Sequence, residues 1–261
     1  MVSSYQLPVI SWQLCETAAN CQLTTAHSLI FAAMQTENSY AEGQVLLVDK
    51  PLEWTSFDVV RKLRYLTRTK KVGHAGTLDP LATGLLIVCT GRFTKKINEY
   101  MAQEKEYTGT ITLGATTPTY DLESEPRGFL PVADLTKEQL EEATIPFTGP
   151  IMQTPPIHSA IKKEGKRVYE LARKGIDVKL DPRPVTIHRF EIVEVALPVV
   201  HFKVVCSTGT YIRSLANDLG AHLGCGGYLS SLRRTRIGEF PVSDALTMEA
   251  WEEKIRNDQN G

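Results

Sequence analysis

A glycine-rich run around a single acid constrains this chain more than any other feature. Residues 73–84 read GHAGTLDPLATG, which places Asp79 among three glycines and directly before Pro80. Glycine accepts a positive φ and allows close backbone approach, while proline fixes φ at about −65°. Asp-Pro and glycine-rich runs also form ordinary turns. On composition alone a structural loop is the commoner outcome, and the rest of the sequence decides whether the carboxylate has a function.

The composition is that of a globular protein with no overall attraction for polyanions. The chain has 261 residues, of which 42% are hydrophobic and 23% are charged, and its net charge is −1 at pH 7. Affinity for nucleic acid therefore has to come from local basic patches. No apolar run approaches the roughly 20 residues of a membrane-spanning helix. We expect a cytoplasmic protein that does not associate with a membrane.

The five cysteines are scattered along the chain, at Cys15, Cys21, Cys89, Cys206 and Cys225. None forms a CxxC pair or lies near a histidine at zinc-ligand spacing. We predict reduced thiols and no metal site, with Cys89 and Cys206 inside strands.

The start of the chain differs from the rest. Residues 1–33 contain no Lys or Arg, so the charged start of a signal peptide is missing, and their apolar residues keep no period. We predict that residues 1–43 form an N-terminal extension outside the folded domain, either disordered or upstream of a true start at Met34.

From Gln44 onward, strand and helix patterns intermix without a strict βαβ repeat. The predicted strands are 45–48, 85–89, 107–113, 185–195 and 199–206, the last two forming a hairpin around Pro198. The predicted helices are 56–67 with Ser56 as its cap, 94–102, a short helix after the capping box of Thr136 and Gln139, and 210–222. We predict an α+β fold with one domain over residues 44–255 and a central mixed, mostly antiparallel sheet flanked by helices.

Positive charge is concentrated in three clusters. They comprise Arg61, Lys62, Arg64, Arg68, Lys70 and Lys71; then Lys162, Lys163, Lys166, Arg167, Arg173 and Lys174; and finally Arg233, Arg234 and Arg236. One such run is usually a solvated helix face. Three in a slightly acidic protein favour a polyanionic partner, RNA above others, because phosphates attract such patches and release counterions on binding.

Five motifs, in order along residues 44–240, resemble those of the TruB family of tRNA pseudouridine synthases. Residues 73–84 resemble GHxGxLDPxATG, 105–107 resemble KxY, 155–173 resemble PPxYSAxKxxGxRxYxxAR, 207–213 resemble SxGTYIR, and 232–234 resemble LRR. The resemblance implies a pseudouridine synthase catalytic domain that works without a cofactor. Its substrate would be the T-arm of tRNA, where the uridine at position 55 becomes pseudouridine.

The implied reaction explains why a lone acid is needed. Pseudouridine formation breaks the N1–C1′ bond, turns the uracil and joins its C5 to C1′, so the base must first be flipped out of the RNA. Asp79 is the implied catalytic carboxylate. Attack at C1′, addition at C6 and deprotonation of the sugar all remain open. The glycines would let the backbone pass close to the flipped nucleotide.

The resemblance also assigns partners to this acid. Arg213 would pair with the carboxylate and keep it ionised. Tyr107 would pack on the uracil, with its phenol a candidate proton acceptor from C5, and Tyr211 and Leu232 would line the same pocket. His74 would contact the RNA and help displace the target nucleotide. On their own, these tyrosines and the leucine are typical of a protein core.

Residues 153–175, here called the thumb segment, resemble a mobile insertion that closes over the T-arm and grips RNA. Its implied RNA-binding residues are Lys162, Lys163, Lys166, Arg167 and Arg173. His158 stands where the family has tyrosine, which leaves the contacts at that point in doubt. Because the chain ends soon after Trp251, we expect no C-terminal RNA-binding domain, and nothing demands more than a monomer.

Two other functions stay open at this stage. An RNA-binding or tRNA-folding module with incidental catalysis would use the same basic clusters. A hydrolytic glycosidase would use Asp79 as nucleophile but normally needs a second acid as proton donor, which no motif supplies.

Overall fold

A mixed β-sheet organises the protein from Ser39 onward. The computed structural model describes residues 39–132, 134–157, 159, 162–163, 166–167 and 180–260, with the backbone alone at 162–163, 166–167 and 260. The first half contains Ser39–Glu42 (α1), Val45–Lys50 (β1), Ser56–Thr67 (α2), Val72–His74 (β2), Ala82–Thr90 (β3), the 3₁₀ turn Gly91–Lys96, Ile97–Ala102 (α3), Lys105–Leu113 (β4), Lys137–Thr144 (α4), the 3₁₀ turn Ile145–Phe147 and Gly149–Gln153 (β5).

The second half completes the sheet. Its elements are Lys162–Lys163 (β6), Lys166–Arg167 (β7), Arg183–Ala196 (β8), Val199–Cys206 (β9), Ile212–His222 (α5), Gly227–Ile237 (β10), Phe240–Pro241 (β11), the 3₁₀ turn Val242–Asp244 and Met248–Asn260 (α6). Among the described residues, no helix is long and apolar enough to cross a bilayer.

The strand order is β1-β3-β10-β4-β9-β8-β5, with β2 beside β3 and β11 beside β10. Every ladder between these strands is antiparallel except the one between β3 and β10, where Leu232 lies opposite Ala82. The predicted α+β fold with a mixed, mostly antiparallel sheet is therefore confirmed. The predicted hairpin around Pro198 is confirmed as well, and Cys89 and Cys206 lie in β3 and β9.

Apolar cores lie on both faces of the sheet. Helices α4 and α5 cover one face of β4, β8, β9 and β10, while α2 and α6 cover β1 and β3. A third cluster buries the opposite face of β3. Because β3 is buried on both faces, its sequence from Leu85 to Cys89 is continuously apolar rather than alternating. The loop of residues 75–81 joins two of these cores, since Ala75 belongs to one and Leu78 to another.

The N-cap of helix α2 is one residue earlier than predicted, and the reason bears on the site. Thr55 is the N-cap and forms a capping box with Asp58. Ser56, the predicted cap, instead exchanges hydrogen bonds with Leu78: its hydroxyl donates to the Leu78 carbonyl (3.1 Å) and accepts from the Leu78 amide (2.8 Å). A local sequence pattern could not distinguish these two hydroxyls, because the second bonds a loop distant in the chain.

The observed bounds of two other helices also differ from the predicted ones. Residues 94–102 divide into the end of a 3₁₀ turn and α3, and the helix predicted from Thr210 starts at Ile212. Residues 1–38, with the possible start at Met34, lie outside the described part of the chain. Residues 39–42 do pack on the domain: Tyr40 is buried and donates to Asp258 at 2.5 Å. The folded part therefore begins no later than Ser39, ahead of the predicted start at residue 44.

Candidate active site

The glycine-rich run forms the loop between β2 and β3 and the start of β3. Gly76 and Gly84 have φ values of +95° and +98°, which other residues rarely adopt. A side chain at Gly84 would place its Cβ 2.3 Å from the Arg234 carbonyl oxygen. Gly84 therefore lets β3 and β10 approach each other; passage of the glycine-rich backbone close to a nucleotide stays a prediction.

Asp79 and Arg213 meet as an ion pair. The Arg213 Nε atom lies 3.0 Å from Asp79 Oδ2. Arg213 occupies the first turn of α5 and its side chain is 5% exposed, whereas that of Asp79 is 38% exposed. The arginine is thus held by the protein, while the carboxylate keeps an open side. This is the arrangement expected for an acid that must contact a substrate.

A second carboxylate shares the same guanidinium. Asp121 Oδ2 lies 3.5 Å from Arg213 Nε, and the Asp121 side chain is 5% exposed. The Arg213 Nη1 group also donates to the Thr119 carbonyl at 3.2 Å. Tyr120, which lies between Thr119 and Asp121 in the sequence, has a φ of +63°. Sequence analysis missed Asp121, because nothing in its own segment indicates that it lies beside Arg213.

The charge state of Asp79 depends on these neighbours. Desolvation by the surrounding protein raises the pKa of Asp79 above its ordinary value. The Arg213 guanidinium offsets part of the rise, and the carboxylate of Asp121 adds to it. Arg213 therefore favours the ionised form of Asp79, and its guanidinium also lies beside Asp121.

Lys50 supports the loop from beneath. Its buried Nζ group donates to the carbonyls of Pro51 (2.9 Å), Trp54 (2.5 Å) and Pro80 (3.3 Å). Burial lowers the pKa of Lys50 to about 8, although the charge of Asp79 opposes this. The lysine fixes the backbone next to the catalytic candidate and adds positive potential there.

A cavity of about 290 Å³ opens beside Asp79. The structure brings Tyr107, Tyr211, Leu232 and Arg213 to its walls together with Asp79, as the resemblance implied. Further lining residues include Met101, Lys105, Ser159, Ser207 and Arg234. Segments from four distant parts of the chain thus converge on one carboxylate.

The tyrosines are better placed for packing than for proton transfer. Tyr107 on β4 is 8% exposed, and burial raises its pKa above 10, while the nearby Arg234 guanidinium opposes the rise. Burial likewise raises the pKa of Tyr211, and the nearby Ser159 hydroxyl opposes it. Both phenols are neutral at pH 7, and a neutral phenol is a poor base. The geometry supports Tyr107 as a packing surface more strongly than as a proton acceptor.

His74 lies on β2 rather than on the cavity wall. Burial lowers its pKa, and the Arg234 guanidinium lowers it further, so the imidazole is neutral at pH 7. Its RNA contact stays a prediction.

The third basic cluster is paired within the protein, which argues against the predicted phosphate-binding role. Arg233 makes two hydrogen bonds to the Asp49 carboxylate, at 3.0 and 2.7 Å. Arg234 is 1% exposed and donates to the carbonyls of Leu85 (2.7 Å) and Gly76 (3.2 Å). Arg236 pairs similarly with Glu104 at 2.7 Å. These cations bond groups of the protein itself, and Arg234 holds the Gly76 loop against β3.

The first cluster has a different environment. Arg61 pairs with Asp58 and Lys62 with Glu252, both at 2.7 Å. The remaining four cations, which we call the α2 basic face, are exposed and form no ion pair within the part of the chain that the structure describes; they are Arg64, Arg68, Lys70 and Lys71. Tyr65 lies among them and is 79% exposed.

The second cluster is described in part. Lys162–Lys163 and Lys166–Arg167 form a short antiparallel hairpin. Arg173 and His158 lie outside the described residues, so their predicted roles stay predictions.

Comparisons with known proteins agree with this geometry. Residues 64–212 match a family model described as TruB family pseudouridylate synthase (N terminal domain), and residues 213–260 match one described as tRNA pseudouridylate synthase B C-terminal domain. The first stretch supplies β3 and the second supplies β10, so both contribute to one sheet.

Curated relatives and solved structures show the same likeness. tRNA pseudouridine synthase B of Flavobacterium johnsoniae is 53% identical over 228 residues, covering 85% of this chain and 100% of the relative. The protein of that name from Phocaeicola vulgatus is 50% identical over 221 residues, covering 82% and 94%. A chain in the crystal structure of a Cbf5-Nop10-Gar1 complex has a TM-score of 0.65 at 28% identity, covering 82% of this chain and 54% of that one.

Proposed function

The chain belongs to the TruB family of pseudouridylate synthases, and we propose that it converts the T-loop uridine at position 55 of tRNA to pseudouridine. One observation carries the proposal: Asp79 faces a cavity while a buried arginine holds it from behind at 3.0 Å. The relatives named tRNA pseudouridine synthase B support tRNA as the substrate.

The cavity would hold the flipped uridine. A uridine stacked in folded RNA hides its glycosidic bond, so the nucleotide has to leave the stack before the acid can reach it. Tyr107, Tyr211 and Leu232 offer flat or apolar surfaces to the uracil ring.

Asp79 would drive the isomerisation in its ionised form. The N1–C1′ bond breaks, the uracil turns within the cavity, and C5 bonds to C1′; N1 gains one proton and C5 loses one. No atom is added or lost, and no electron acceptor is required. Arg213 would hold the carboxylate in one orientation and stabilise its negative charge, because a guanidinium bonds a carboxylate in a fixed plane.

The RNA stem would dock on basic surfaces around the cavity. The α2 basic face is exposed and leads directly into β2 and His74, which precede the catalytic loop. The β6–β7 hairpin belongs to the thumb segment, which resembles an RNA-gripping insertion, and it carries four further basic residues. Both would contact phosphates, and binding would weaken as salt rises.

The test is product mapping on defined RNA. Unmodified tRNA transcript is incubated with the protein, and pseudouridine is located at single-nucleotide resolution. We expect one product, at position 55, and none in a matched transcript that carries cytidine there. Product at another position would contradict the T-loop assignment. Binding without product would favour the RNA-folding alternative.

A further inference from the structure

Gln153 makes a contact that neither the motifs nor the mechanism has used. It is the last residue of β5 and is 3% exposed. Its side-chain amide bonds both backbone groups of one residue: the Tyr211 amide donates to Gln153 Oε1 at 2.8 Å, and Gln153 Nε2 donates to the Tyr211 carbonyl at 3.0 Å. A buried primary amide satisfied in this way fixes both itself and its partner.

Tyr211 is the point where helix α5 begins. It is the N-cap residue, and its own side chain makes no capping hydrogen bond. Its carbonyl accepts the helical hydrogen bond from the Leu215 amide at 3.2 Å. The first amides of a helix have no partner within the helix and need one from elsewhere. Gln153 therefore binds the N-cap backbone from outside the helix.

A neighbouring contact strengthens this arrangement. The Ser214 hydroxyl donates to the Thr154 carbonyl at 2.8 Å. The end of β5 thus bonds the first turn of α5 at Tyr211 and at Ser214. Arg213 lies between these two residues, and its direction toward Asp79 depends on where that turn is held.

We propose that Gln153 is a positioning residue that fixes Tyr211 and Arg213 for catalysis. The inference rests on the proposed function, in which Tyr211 lines the uracil pocket and Arg213 holds the catalytic carboxylate. Gln153 does not line the cavity beside Asp79, so it acts on the reaction through these two residues. Gln153 is also the first residue of the thumb segment. The contact that holds the helix turn of Arg213 therefore lies where this predicted RNA-binding segment begins.

The role demands an amide, which makes it testable by small chemical changes. Gln153→Glu keeps the acceptor but loses the donor, and the ionised carboxylate faces the Tyr211 carbonyl. Gln153→Met keeps the approximate volume and loses both bonds. A buried carboxylate resists ionisation, and the neutral acid carries a hydroxyl that donates as the amide does. Lower pH therefore restores the missing donor in the Glu variant alone.

The experiment measures single-turnover pseudouridine formation at saturating tRNA, together with tRNA affinity and thermal unfolding. Gln139→Glu is the matched control, since Gln139 on α4 uses its side-chain oxygen to accept from the Thr136 amide at 2.9 Å at an exposed site. We expect Gln153→Glu and Gln153→Met to slow the reaction by about tenfold or more at pH 8, from the loss of hydrogen bonds at the arginine's helix turn. Affinity for tRNA should change by less than about threefold, because the phosphate contacts remain.

The pH profile separates positioning from simple destabilisation. The rate of Gln153→Glu divided by that of the wild type should rise as pH falls from 8 to 6, while the ratio for Gln153→Met and for Gln139→Glu stays flat. Should the Glu variant fail to fold, the rate of the Met variant decides the question. Wild-type rates in both Gln153 variants, or a loss of affinity equal to the loss of rate, would overturn the inference. An inactive wild-type protein would instead refute the proposed function.

Discussion

Two arginine-rich segments of this chain look alike in sequence but have opposite surroundings. Residues 61–71 on and after α2 leave four cations exposed, whereas residues 233–236 on β10 direct theirs to carboxylates and carbonyls of the protein. Helix α2 lies in the outer layer, with one face buried and the other in water. Strand β10 is central, between β3 and β4, and Arg233, Arg234 and Arg236 all find partners within the protein. A run of positive charge thus indicates a polyanionic partner only when the fold places it on an outer element rather than on a central strand.

The difference has an energetic origin. An exposed cation keeps its hydration and remains available to a phosphate. A buried guanidinium loses water and must be compensated by hydrogen bonds, as Arg234 is by the Leu85 and Gly76 carbonyls.

The largest effect is expected at Arg234. Arg234→Met removes both carbonyl contacts from a buried site, and we expect the free energy of unfolding to fall by about 3 kcal/mol or more. Urea unfolding measures this. The matched control is Arg236→Met on the same strand, whose side chain is 28% exposed and which should cost about 1 kcal/mol or less. Equal losses for the two variants would break the distinction between buried and exposed arginines on β10.

Arg213 comes next, with its effect on turnover rather than on binding. Arg213→Ala leaves the carboxylates of Asp79 and Asp121 without their shared guanidinium. We expect single-turnover pseudouridine formation to slow by about 100-fold or more, with tRNA affinity within about threefold. Arg213→Lys should recover a fraction of the rate, since lysine keeps the charge but not the planar geometry. A loss of affinity that matches the loss of rate would assign Arg213 to RNA binding instead.

The α2 basic face should show the opposite pattern. Arg68→Glu with Lys71→Glu should weaken tRNA binding by about tenfold or more and lower the slope of log affinity against log salt by roughly two. The rate for bound tRNA should hardly change. Lys254→Glu with Arg256→Glu on α6 makes the same change of charge elsewhere in the outer layer, and it should have little effect. Equal weakening by both pairs would show that net charge, rather than this face, controls binding.

The smallest effect is expected at Arg233. Its pair with Asp49 is bidentate but 41% exposed on the arginine side. Arg233→Gln should lower stability by about 1 kcal/mol or less. Affinity for tRNA should stay within about twofold at each salt concentration, because this arginine is already neutralised. If Arg233→Gln lowered the slope of log affinity against log salt as much as the α2 variant does, the arginines of β10 would also be phosphate-binding residues.

Local patterns were enough to predict some of the fold. Helix α2 follows the spacing of Val59, Val60 and Leu63, and the capping box of Thr136 and Gln139 formed as predicted. Such features depend on neighbours within a few residues. The order of strands and the parallel β3–β10 ladder depend on contacts between segments far apart, which no single stretch specifies.

The residues of the site likewise fall into those that the motifs predicted and those that only the structure shows. The motifs predicted Asp79, Arg213, Tyr107, Tyr211 and Leu232, and the structure brings all of them to one cavity. Sequence reasoning missed Asp121 and Gln153, and it assigned Arg234 to a phosphate-binding cluster rather than to the loop that it holds. Each acts through a residue at least 58 positions away. Only the tertiary structure identifies these contacts, because the partners are far apart in the sequence.

The pH dependence follows from the raised pKa of Asp79. The reaction needs the ionised acid, so the rate should be full above that pKa and fall as pH drops through it, at a pH above the ordinary value of about 3.9. The stability effect has the opposite sign. Because burial makes ionisation unfavourable in the folded state, the contribution of Asp79 to stability falls as pH rises from about 3.9 through the raised pKa. A rate that is constant across this window would show that another group limits the reaction.

Asp79→Asn removes the proposed catalytic acid and keeps the shape of its side chain. Pseudouridine is mapped on tRNA transcript at pH 7, with binding and urea unfolding measured on the same protein. We predict no product at position 55, tRNA affinity within about threefold of the wild type, and a free energy of unfolding no lower than that of the wild type. Pseudouridine formed by the Asn variant at the wild-type rate would contradict the account.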